Sequence, residues 1–264
     1  MAASVAKSNG ATFNRHPGTA GRKVFTMEGG LALASFPAGG TALVIGASGA
    51  IGAAFVETLR QAPSFVSVIG LGRTTAPALD VTVEASIAAA AAALGAVEPR
   101  LVIDATGFLH EAGRMPERSW RHLEPEHMAK AFAVNAIGPA LLMKHFLPKL
   151  PRTGKALFAT LSAKVGSIGD NQLGGWYSYR ASKAALNQLV HTAAIELRRQ
   201  RPDAICVALH PGTVDTPLSA PFAKAGLVVR PPAEAVSQML AVIDALRSAQ
   251  SGGFFDYRGR ELPW

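Results

Sequence analysis

The sequence predicts an α/β protein, a single domain built on a doubly wound parallel sheet. Short apolar runs alternate with helical runs from residue 41 onward, and a glycine-rich turn follows the first apolar run. The chain has 264 residues, of which 49% are hydrophobic, which is ample for one large core. Such alternation indicates a parallel sheet covered by helices on both faces, and right-handed crossovers then produce a Rossmann fold.

The elements follow in order along the chain. Strands are predicted at residues 41–45, 65–71, 101–105, 155–161, 204–209 and 253–257. Helices are predicted at residues 51–61, 84–94, 125–149, 179–199 and 233–248. Residues 79–81 could add one short strand before the second helix. We expect ligands to bind at the edge where the parallel strands end.

Residues 1–40 differ from the rest, and the domain is predicted to span residues 41–264. The first 40 residues are rich in Ala, Gly and Ser, and four basic residues stand against a single acid, Glu28. They lack the periodicity of a packed element, so we expect disorder. A transit-peptide character and an overextended start, with Met27 as the true first residue, both remain open.

Composition excludes several functional classes. The net charge of +8 could suit nucleic acid, but the basic residues are scattered, so no nucleic-acid partner is predicted. A single cysteine, Cys206, rules out a disulfide framework and a cysteine-based metal site, and no metal is expected. Residues 29–56 carry no charge, but Pro37 and several glycines interrupt them, so no membrane span is predicted. We expect a cytoplasmic protein.

The glycine-rich turn reads IGASGAIG over residues 45–52. A strand, a glycine turn and a helix in this order form the context of a dinucleotide site. Gly46 would make the tight turn, and Gly52 would let the helix pack close to the strand. Ser48, Ala50 and Ile51 would line the phosphates at the helix N-terminus. A flexible Gly/Ala loop is the alternative.

Tyr179 and Lys183 lie four residues apart and therefore share one helix face. The ammonium would lower the pKa of the phenol from its usual value of about 10. Such a phenol can exchange a proton with a substrate oxygen near neutral pH. A solvated helix face with no function is the alternative.

The two motifs together resemble the short-chain dehydrogenase/reductase family, and most closely its C-factor-like branch of bacterial reductases. The glycine motif of the family, Gly-x-x-x-Gly-x-Gly, falls on Gly46, Ala50 and Gly52, with alanine at the middle position. Residues 165–168, 175–187 and 210–216 also carry the likeness. The resemblance implies an oxidoreductase that interconverts a carbonyl and an alcohol, with Tyr179 exchanging the proton and Lys183 also binding the nicotinamide ribose.

The cofactor preference is predicted from the end of the second strand. An acidic residue there would bind the ribose hydroxyl of NAD, but residues 69–74 read IGLGRT. The guanidinium of Arg73 suits a 2′-phosphate, so NADP(H) is predicted rather than NAD(H), with Thr74 assisting. A plain surface arginine is the alternative. Asp80 matches the adenine-side aspartate of the family, although it could simply cap the next helix.

Three further positions follow from the resemblance. The asparagine-rich loop of the family appears here as Asp104-Ala-Thr-Gly107, where Gly107 keeps the backbone close to the cofactor and Asp104 would tie strand ends together. Asn135 matches the helix asparagine of the family, which implies a proton relay that links Lys183 to solvent. A polar residue satisfied by its neighbours is the alternative for Asn135.

The segment after the fifth long strand matches the Pro-Gly loop of the family. Pro211 and Gly212 would shape a turn under the nicotinamide, while Val214 and Thr216 would bind its carboxamide. Residues 218–229 would form a mobile lid over the substrate. A simple turn is the alternative, because Pro-Gly pairs mark turns in general.

One departure from the family concerns the catalytic serine, whose position holds Ala163. Ser162 is adjacent, but neighbouring residues in a strand point to opposite faces. Ser162 is our candidate replacement, with Ser167 and Asn171 as further candidates. Losing one hydrogen-bond donor at the transition state costs about 3 kcal/mol, so a cofactor-binding sensor with little or no turnover is the alternative function.

The helical runs 125–149 and 179–199 carry apolar residues around much of their circumference. The positions concerned are Ala136, Leu141, Leu142, Ala184 and Leu189. Family members pair through these two helices, and two-fold symmetry is the commonest oligomeric arrangement. A homodimer or homotetramer acting on a small-molecule substrate is therefore predicted.

Overall fold

A computed structural model describes residues 31–222 and 228–264 of the chain. Its centre is a six-stranded, fully parallel sheet with the strand order β2-β1-β3-β4-β5-β8. The strands are β1 (Gly40–Ile45), β2 (Phe65–Leu71), β3 (Leu101–Asp104), β4 (Ala156–Leu161), β5 (Ala204–His210), β6 (Thr213–Val214), β7 (Val229–Arg230) and β8 (Phe254–Asp256). Strands β6 and β7 form a separate parallel pair beside the main sheet.

Helices cover both faces of the sheet, which confirms the predicted doubly wound fold. They are α1 (Ala50–Arg60), α2 (Glu84–Ala93), α3 (Pro125–Phe132), α4 (Gly138–Phe146), α5 (Tyr177–Gln200) and α6 (Pro232–Ala245). Helices α1 and α6 enclose one hydrophobic core, and α2, α4 and α5 enclose the other. Strand β1 lies between them, with Ala42 to Ile45 all 0% exposed.

The topology fixes where a ligand can bind. Helix α1 follows β1 on one face, whereas α2 crosses to β3 on the other. The strand order therefore reverses between β1 and β3. A crevice opens outside the carboxyl ends of the strands at such a point, and the glycine turn and the loop after β3 both lie there.

The predicted helix over residues 125–149 is interrupted. A π-helical segment, Ala133–Ile137, separates α3 from α4. Pro139 contributes to this break, because it has no N–H to donate to the carbonyl four residues earlier, which belongs to Asn135. Single π turns inside helices often occur at functional sites. The optional strand at residues 79–81 does not form, and its residues lie in a loop.

The predicted disorder of residues 1–40 is wrong for its last part. Leu33 and Phe36 are only 1% and 4% exposed, and the ring of Phe36 packs 5.5 Å from that of Phe65. The hydroxyl of Ser64 donates to the carbonyl of Leu33 at 2.9 Å. Two buried side chains in a short stretch leave no periodic pattern, which is why the sequence did not reveal them. Residues 1–30 lie outside the described residues.

The helix positions proposed for self-association are partly used within the subunit. Ala136 and Leu142 are 2% and 0% exposed, and Leu141 and Leu189 pack against the core beneath them. Ile137 and Ile195 are exposed instead, at 54% and 48%. The oligomer therefore stays a prediction. Within residues 31–222 and 228–264, no helix combines the length and apolar character needed to cross a bilayer.

Candidate active site

The glycine turn between β1 and α1 has the geometry of an anion cradle. Gly46 has a φ of +82°, which favours glycine. A Cβ on Gly52 would lie 2.1 Å from the carbonyl oxygen of Gly46, so no side chain fits there. Helix α1 begins after Gly49 without a side-chain cap and without an acid in its first turn. Its first N–H groups can therefore receive an anion.

The end of β2 lies beside this turn. A Cβ on Gly72 would lie 3.6 Å from the hydroxyl of Ser48, and the exposed Arg73 follows Gly72 directly. Asp80 accepts from the backbone N–H of Thr82 at 2.8 Å and from its hydroxyl at 2.6 Å. These bonds, with a smaller effect of Arg73, lower the pKa of Asp80. Asp80 thus shapes a local turn and does not cap α2.

Asp104 ties the ends of β3 and β4 together. Its carboxylate is 0% exposed and accepts from the hydroxyls of Thr106 at 2.6 Å and Thr160 at 2.7 Å. Burial raises the pKa of Asp104. A Cβ on Gly107 would meet nothing closer than the Asn135 oxygen at 3.9 Å, so the backbone there is open. This arrangement matches the structural role proposed for the aspartate.

Asn135 clamps the loop after β3 to helix α5. The side chain is 0% exposed. Its oxygen accepts from the N–H of Phe108 at 2.7 Å, and its amide donates to the carbonyl of Phe108 at 2.7 Å and to Ser182 at 3.0 Å. The side chain is thus satisfied by its neighbours, one of which, Ser182, directly precedes Lys183 in the sequence. The relay role stays a prediction, since no contact of this side chain with Lys183 is seen.

Helix α5 brings Tyr179 and Lys183 to the carboxyl edge. The Lys183 ammonium is buried and donates to the carbonyl of Leu161, the last residue of β4, at 2.7 Å. It lies 6.0 Å from the centre of the Tyr179 ring. A Cβ on Gly166 would lie 2.7 Å from that of Lys183, so glycine is required for this close packing.

The electrostatics of the pair correct one prediction. Burial raises the pKa of Tyr179 to about 12, instead of the lowered value expected from the spacing. Burial also lowers the pKa of Lys183 to about 8, against the opposing charge of Asp104. The reason is that desolvation dominates both groups, while the ammonium is directed at the carbonyl of Leu161.

The side chain of Ser162 points away from the side of the chain that Ala163 faces, and Ala163 stands where the family has its catalytic serine. Its hydroxyl donates to the side-chain oxygen of Asn187 at 2.6 Å. Ala163 has an extended backbone, with φ −144° and ψ 142°, so the two neighbours face opposite sides. The amide nitrogen of Asn187 is buried and has no partner within the described residues. Ser162 therefore holds β4 to α5 in this structure.

The two further candidates also have local partners. The hydroxyl of Ser167 donates to the carbonyl of Trp264 at 3.3 Å and accepts from the N–H of Asp170 at 3.1 Å. Asn171 is exposed and accepts from the N–H of Gly174 at 3.1 Å. Neither shows a hydrogen bond to Tyr179.

The approach to α5 has an unusual backbone. Gly174, Gly175 and Trp176 have φ values of +62°, +66° and +53°. The left-handed conformation costs a non-glycine residue about 1–2 kcal/mol. Glu117 holds it in place: its carbonyl accepts from the N–H of Trp176 at 2.5 Å, and its buried carboxylate accepts from the N–H and hydroxyl of Ser178.

This backbone places an aromatic cluster beside Tyr179. The indole of Trp176 lies 6.2 Å from the Tyr179 ring and 4.8 Å from that of Phe222. His110 lies 5.5 Å from Phe222, and its Nε2 is 3.1 Å from the carbonyl of Leu218. Sequence reasoning missed Glu117, His110, Trp176 and Phe222. The Gly-Gly pair before Trp176 was the one available signal.

The Pro-Gly loop follows β5 at the same edge. Gly212 has a φ of +76°, and a Cβ there would lie 2.8 Å from the guanidinium of Arg230. Strand β6 pairs with β7, and the Thr216 hydroxyl lies 3.0 Å from that of Ser219. Pro211 and Val214 flank these residues. The predicted lid at residues 218–229 falls partly outside the described residues, since 223–227 are not among them.

Comparisons with known proteins identify relatives of this sequence. The family model described as Enoyl-(Acyl carrier protein) reductase matches residues 46–239. The chain is 40% identical to the C-signal of Myxococcus xanthus over 52% of this chain and 78% of that protein. It is 34% identical to 1-hydroxy-2-glutathionyl-2-methyl-3-butene dehydrogenase of Rhodococcus sp. over 73% of this chain and 81% of that protein.

Solved structures of similar fold include two proteins with a bound cofactor. An NADPH-bound carbonyl reductase from chicken fatty liver is 28% identical, with a TM-score of 0.75 over 88% of this chain and 97% of that one. A short-chain dehydrogenase/reductase from Burkholderia multivorans with bound NADP is 26% identical, with a TM-score of 0.70 over 87% of this chain and 100% of that one.

Proposed function

We propose that this oxidoreductase interconverts a carbonyl and an alcohol with NADP(H). The premise is that the chain belongs to the short-chain dehydrogenase/reductase family. The observation that carries the proposal is the junction of α5 with the sheet. The contact between Lys183 and the carbonyl of Leu161, at 2.7 Å, fixes the Tyr179 face of α5 beside the strand ends. That edge also holds the glycine turn, so proton and cofactor chemistry meet at one crevice.

The residues present fit a dinucleotide. The uncapped N-terminus of α1 suits a pyrophosphate, with Ser48, Ala50 and Ile51 beside it. The exposed Arg73 forms no ion pair within the described residues, and its guanidinium suits the 2′-phosphate of NADP(H). Two structural neighbours were solved with NADPH or NADP bound.

In reduction, a bound nicotinamide supplies the hydride. The hydroxyl of Tyr179 donates a proton to the substrate oxygen, and a pKa of about 12 keeps that proton on the phenol at neutral pH. The ammonium of Lys183 stabilises the phenolate that remains. Asn135 positions the loop that includes Gly107. Pro211, Gly212, Val214 and Thr216 form the loop that we assign to the carboxamide.

A carbonyl panel tests this proposal. We expect the protein to oxidise NADPH with aldehydes or ketones, and to bind NADPH more tightly than NADH. Arg73→Ala should weaken NADPH binding by about ten- to a hundredfold, because a charged hydrogen bond contributes about 1.5–3 kcal/mol. It should leave NADH binding unchanged. Equal affinity for the two cofactors in the unmodified protein would show that Arg73 does not select them.

A cofactor-binding sensor with little turnover is the second candidate. The bond from Ser162 to Asn187 favours it, since the hydroxyl next to Ala163 is already engaged. A relative at 40% identity is named C-signal. The two candidates differ in one measurement: a sensor binds NADPH but oxidises none of it with any aldehyde or ketone of the panel.

We also propose a cytoplasmic homodimer or homotetramer, in which exposed side chains such as Ile137 and Ile195 meet a second copy. The commonest oligomers have two-fold symmetry. Light scattering at micromolar concentration checks the assembly, and a monomeric mass would refute it.

A further inference from the structure

We propose that Trp176 and Phe222, held by His110, form an aromatic wall beside Tyr179 that selects carbonyl substrates bearing a flat aromatic or conjugated group. This inference rests on the proposed function and names the substrate class of the same site. A left-handed backbone segment positions this cluster of ring contacts. Both features involve residues outside the glycine and Tyr/Lys motifs.

The rings are arranged so that a further ring can stack on them. The planes of Trp176 and Tyr179 meet at 71°, and those of Trp176 and Phe222 at 62°. Trp176, Tyr179 and Phe222 are each only partly buried, so part of their ring surface remains open to a further ring. Aromatic groups prefer offset-stacked or edge-to-face contacts at centroid distances of about 4.5–7 Å. A flat substrate can therefore lie against Trp176 with its carbonyl near the hydroxyl of Tyr179.

The site is built to hold Trp176 in place. The indole stands three residues before Tyr179, on the last of three consecutive left-handed residues. The carbonyl of Glu117 fixes the N–H of Trp176 at 2.5 Å, and the side chain of Arg180 donates to the carbonyl of Gly175 at 3.0 Å. Unfavourable backbone that is held by several contacts is characteristic of functional sites.

His110 is the positioning residue of the wall. It packs edge-on against Phe222 at 5.5 Å and 70°. Its Nε2 lies 3.1 Å from the carbonyl of Leu218, four residues before Phe222. Both contacts bind the loop after β3 to the segment that carries Phe222. His110 thereby helps to hold Phe222 against Trp176.

Substrate competition tests the wall. We expect wild-type kcat/KM to favour benzaldehyde over propanal, and Trp176→Ala to lower the value for benzaldehyde by about tenfold or more, as loss of an aromatic contact of about 1.4 kcal/mol implies. The value for propanal should change by less than about threefold, since a small aliphatic group leaves the wall unused. Phe222→Ala should act in the same direction, and Trp176→Phe should restore most of the preference.

Trp120→Ala is the matched control, because that indole is 68% exposed and makes no ring contact with the cluster. It should leave both values unchanged. An equal loss for benzaldehyde and propanal in Trp176→Ala would overturn the proposal, since it would reflect damage to Tyr179 and not selection.

A binding measurement separates failure of the wall from failure of the proposed function. If the wild type reduces neither aldehyde, the proposed function fails, and calorimetry with benzyl alcohol decides the wall. Binding that is about tenfold weaker in Trp176→Ala than in the wild type supports it. Equal binding by the two proteins overturns it. Circular dichroism of each variant shows whether it is folded.

Discussion

The half of the molecule that we assign to the cofactor and the half that we assign to catalysis have diverged from their family pattern to different degrees. In the first, the turn after β1 has Ala50 in place of the middle glycine but keeps Gly46 and Gly52, and no side chain fits at Gly52. In the second, α5 keeps Tyr179 and Lys183, but Ala163 replaces the serine and the neighbouring Ser162 is bonded to Asn187. The phosphate turn is constrained by backbone packing, whereas the catalytic site is constrained by side chains that can be exchanged one at a time.

The two regions differ in the substitutions that they tolerate. A methyl group at Gly52 would collide with the carbonyl of Gly46 at 2.1 Å, so that position is closed. Ala163 has an ordinary extended backbone, which accepts alanine and serine alike. Catalytic side chains in the second half can therefore be replaced while the fold persists. The variants described below measure how much catalytic activity this half retains.

The largest effect should come from Tyr179→Phe. Removal of the hydroxyl should lower the carbonyl reduction rate by about 10²–10⁴-fold, the usual contribution of a positioned acid. NADPH binding should stay within about twofold, because the ring still packs against Trp176. Stopped-flow turnover and fluorescence titration give the two values. An unchanged rate on a verified substrate would remove the proposed mechanism and leave the sensor as the better reading.

The next effect concerns the core at the amino end of β1 and β2, where Phe36 packs on Phe65. A protein that begins at residue 37 should unfold more easily than one that begins at residue 31, by about 5 kcal/mol or more, because it loses a buried phenylalanine and a buried leucine. Those side chains are Phe36 and Leu33. The two forms differ only in residues 31–36, and urea titration compares them. Equal midpoints would mean that this segment does not stabilise the domain.

Ala163→Ser tests directly whether the catalytic half lacks a hydrogen-bond donor at this position. If the extended backbone presents this side chain to the substrate, a new hydroxyl should raise the rate by about a hundredfold. Single-turnover reduction measures the rate with a verified carbonyl. No increase would indicate that another donor already serves the substrate oxygen.

Ser162→Ala is the companion variant. The bond from Ser162 to Asn187 predicts a rate change below about tenfold and a loss of about 1 kcal/mol in stability, the usual value of one hydrogen bond. A hundredfold loss of rate would instead assign the donor role to Ser162, as the sequence suggested. Thermal melts and initial rates decide between them.

Most of the fold could be predicted because apolar periodicity and glycine position report on burial. The six main strands lie within one residue of the predicted bounds at most ends. The break at Ala133–Ile137 was missed, since apolar residues continue through it. Leu33 and Phe36 were missed because Ala, Gly and Pro surround them and no repeat marks their burial.

The site could be predicted only in outline. Spacing placed Tyr179 and Lys183 on one helix, but it cannot report desolvation, which set the direction of both pKa shifts. The aromatic wall joins side chains from distant loops, such as His110 and Phe222, which only the fold brings together. Glu117 was invisible for the same reason.

The smallest expected effect is a pH dependence that differs between catalysis and cofactor binding. Burial holds the pKa of Lys183 at about 8, below its ordinary value of 10.5. Since only the ammonium stabilises the phenolate of Tyr179, kcat/KM for reduction should fall as the pH rises through about 8. The unfolded chain keeps this proton up to its ordinary pKa, so between the two values the unfolded state binds more protons and the contribution of Lys183 to stability rises with pH.

Activity and stability should therefore move in opposite directions above pH 8, and Lys183→Gln should remove both trends. The difference between wild type and variant isolates this lysine, because burial also lowers the pKa of Lys155 to about 8. NADPH binding should weaken less than kcat/KM through this pH, because the N–H groups of the glycine turn do not titrate and only the ribose contact predicted for Lys183 is lost. If binding and kcat/KM fell together through pH 8, Lys183 would serve the cofactor more than the phenol, and the separation between the two halves would be lost.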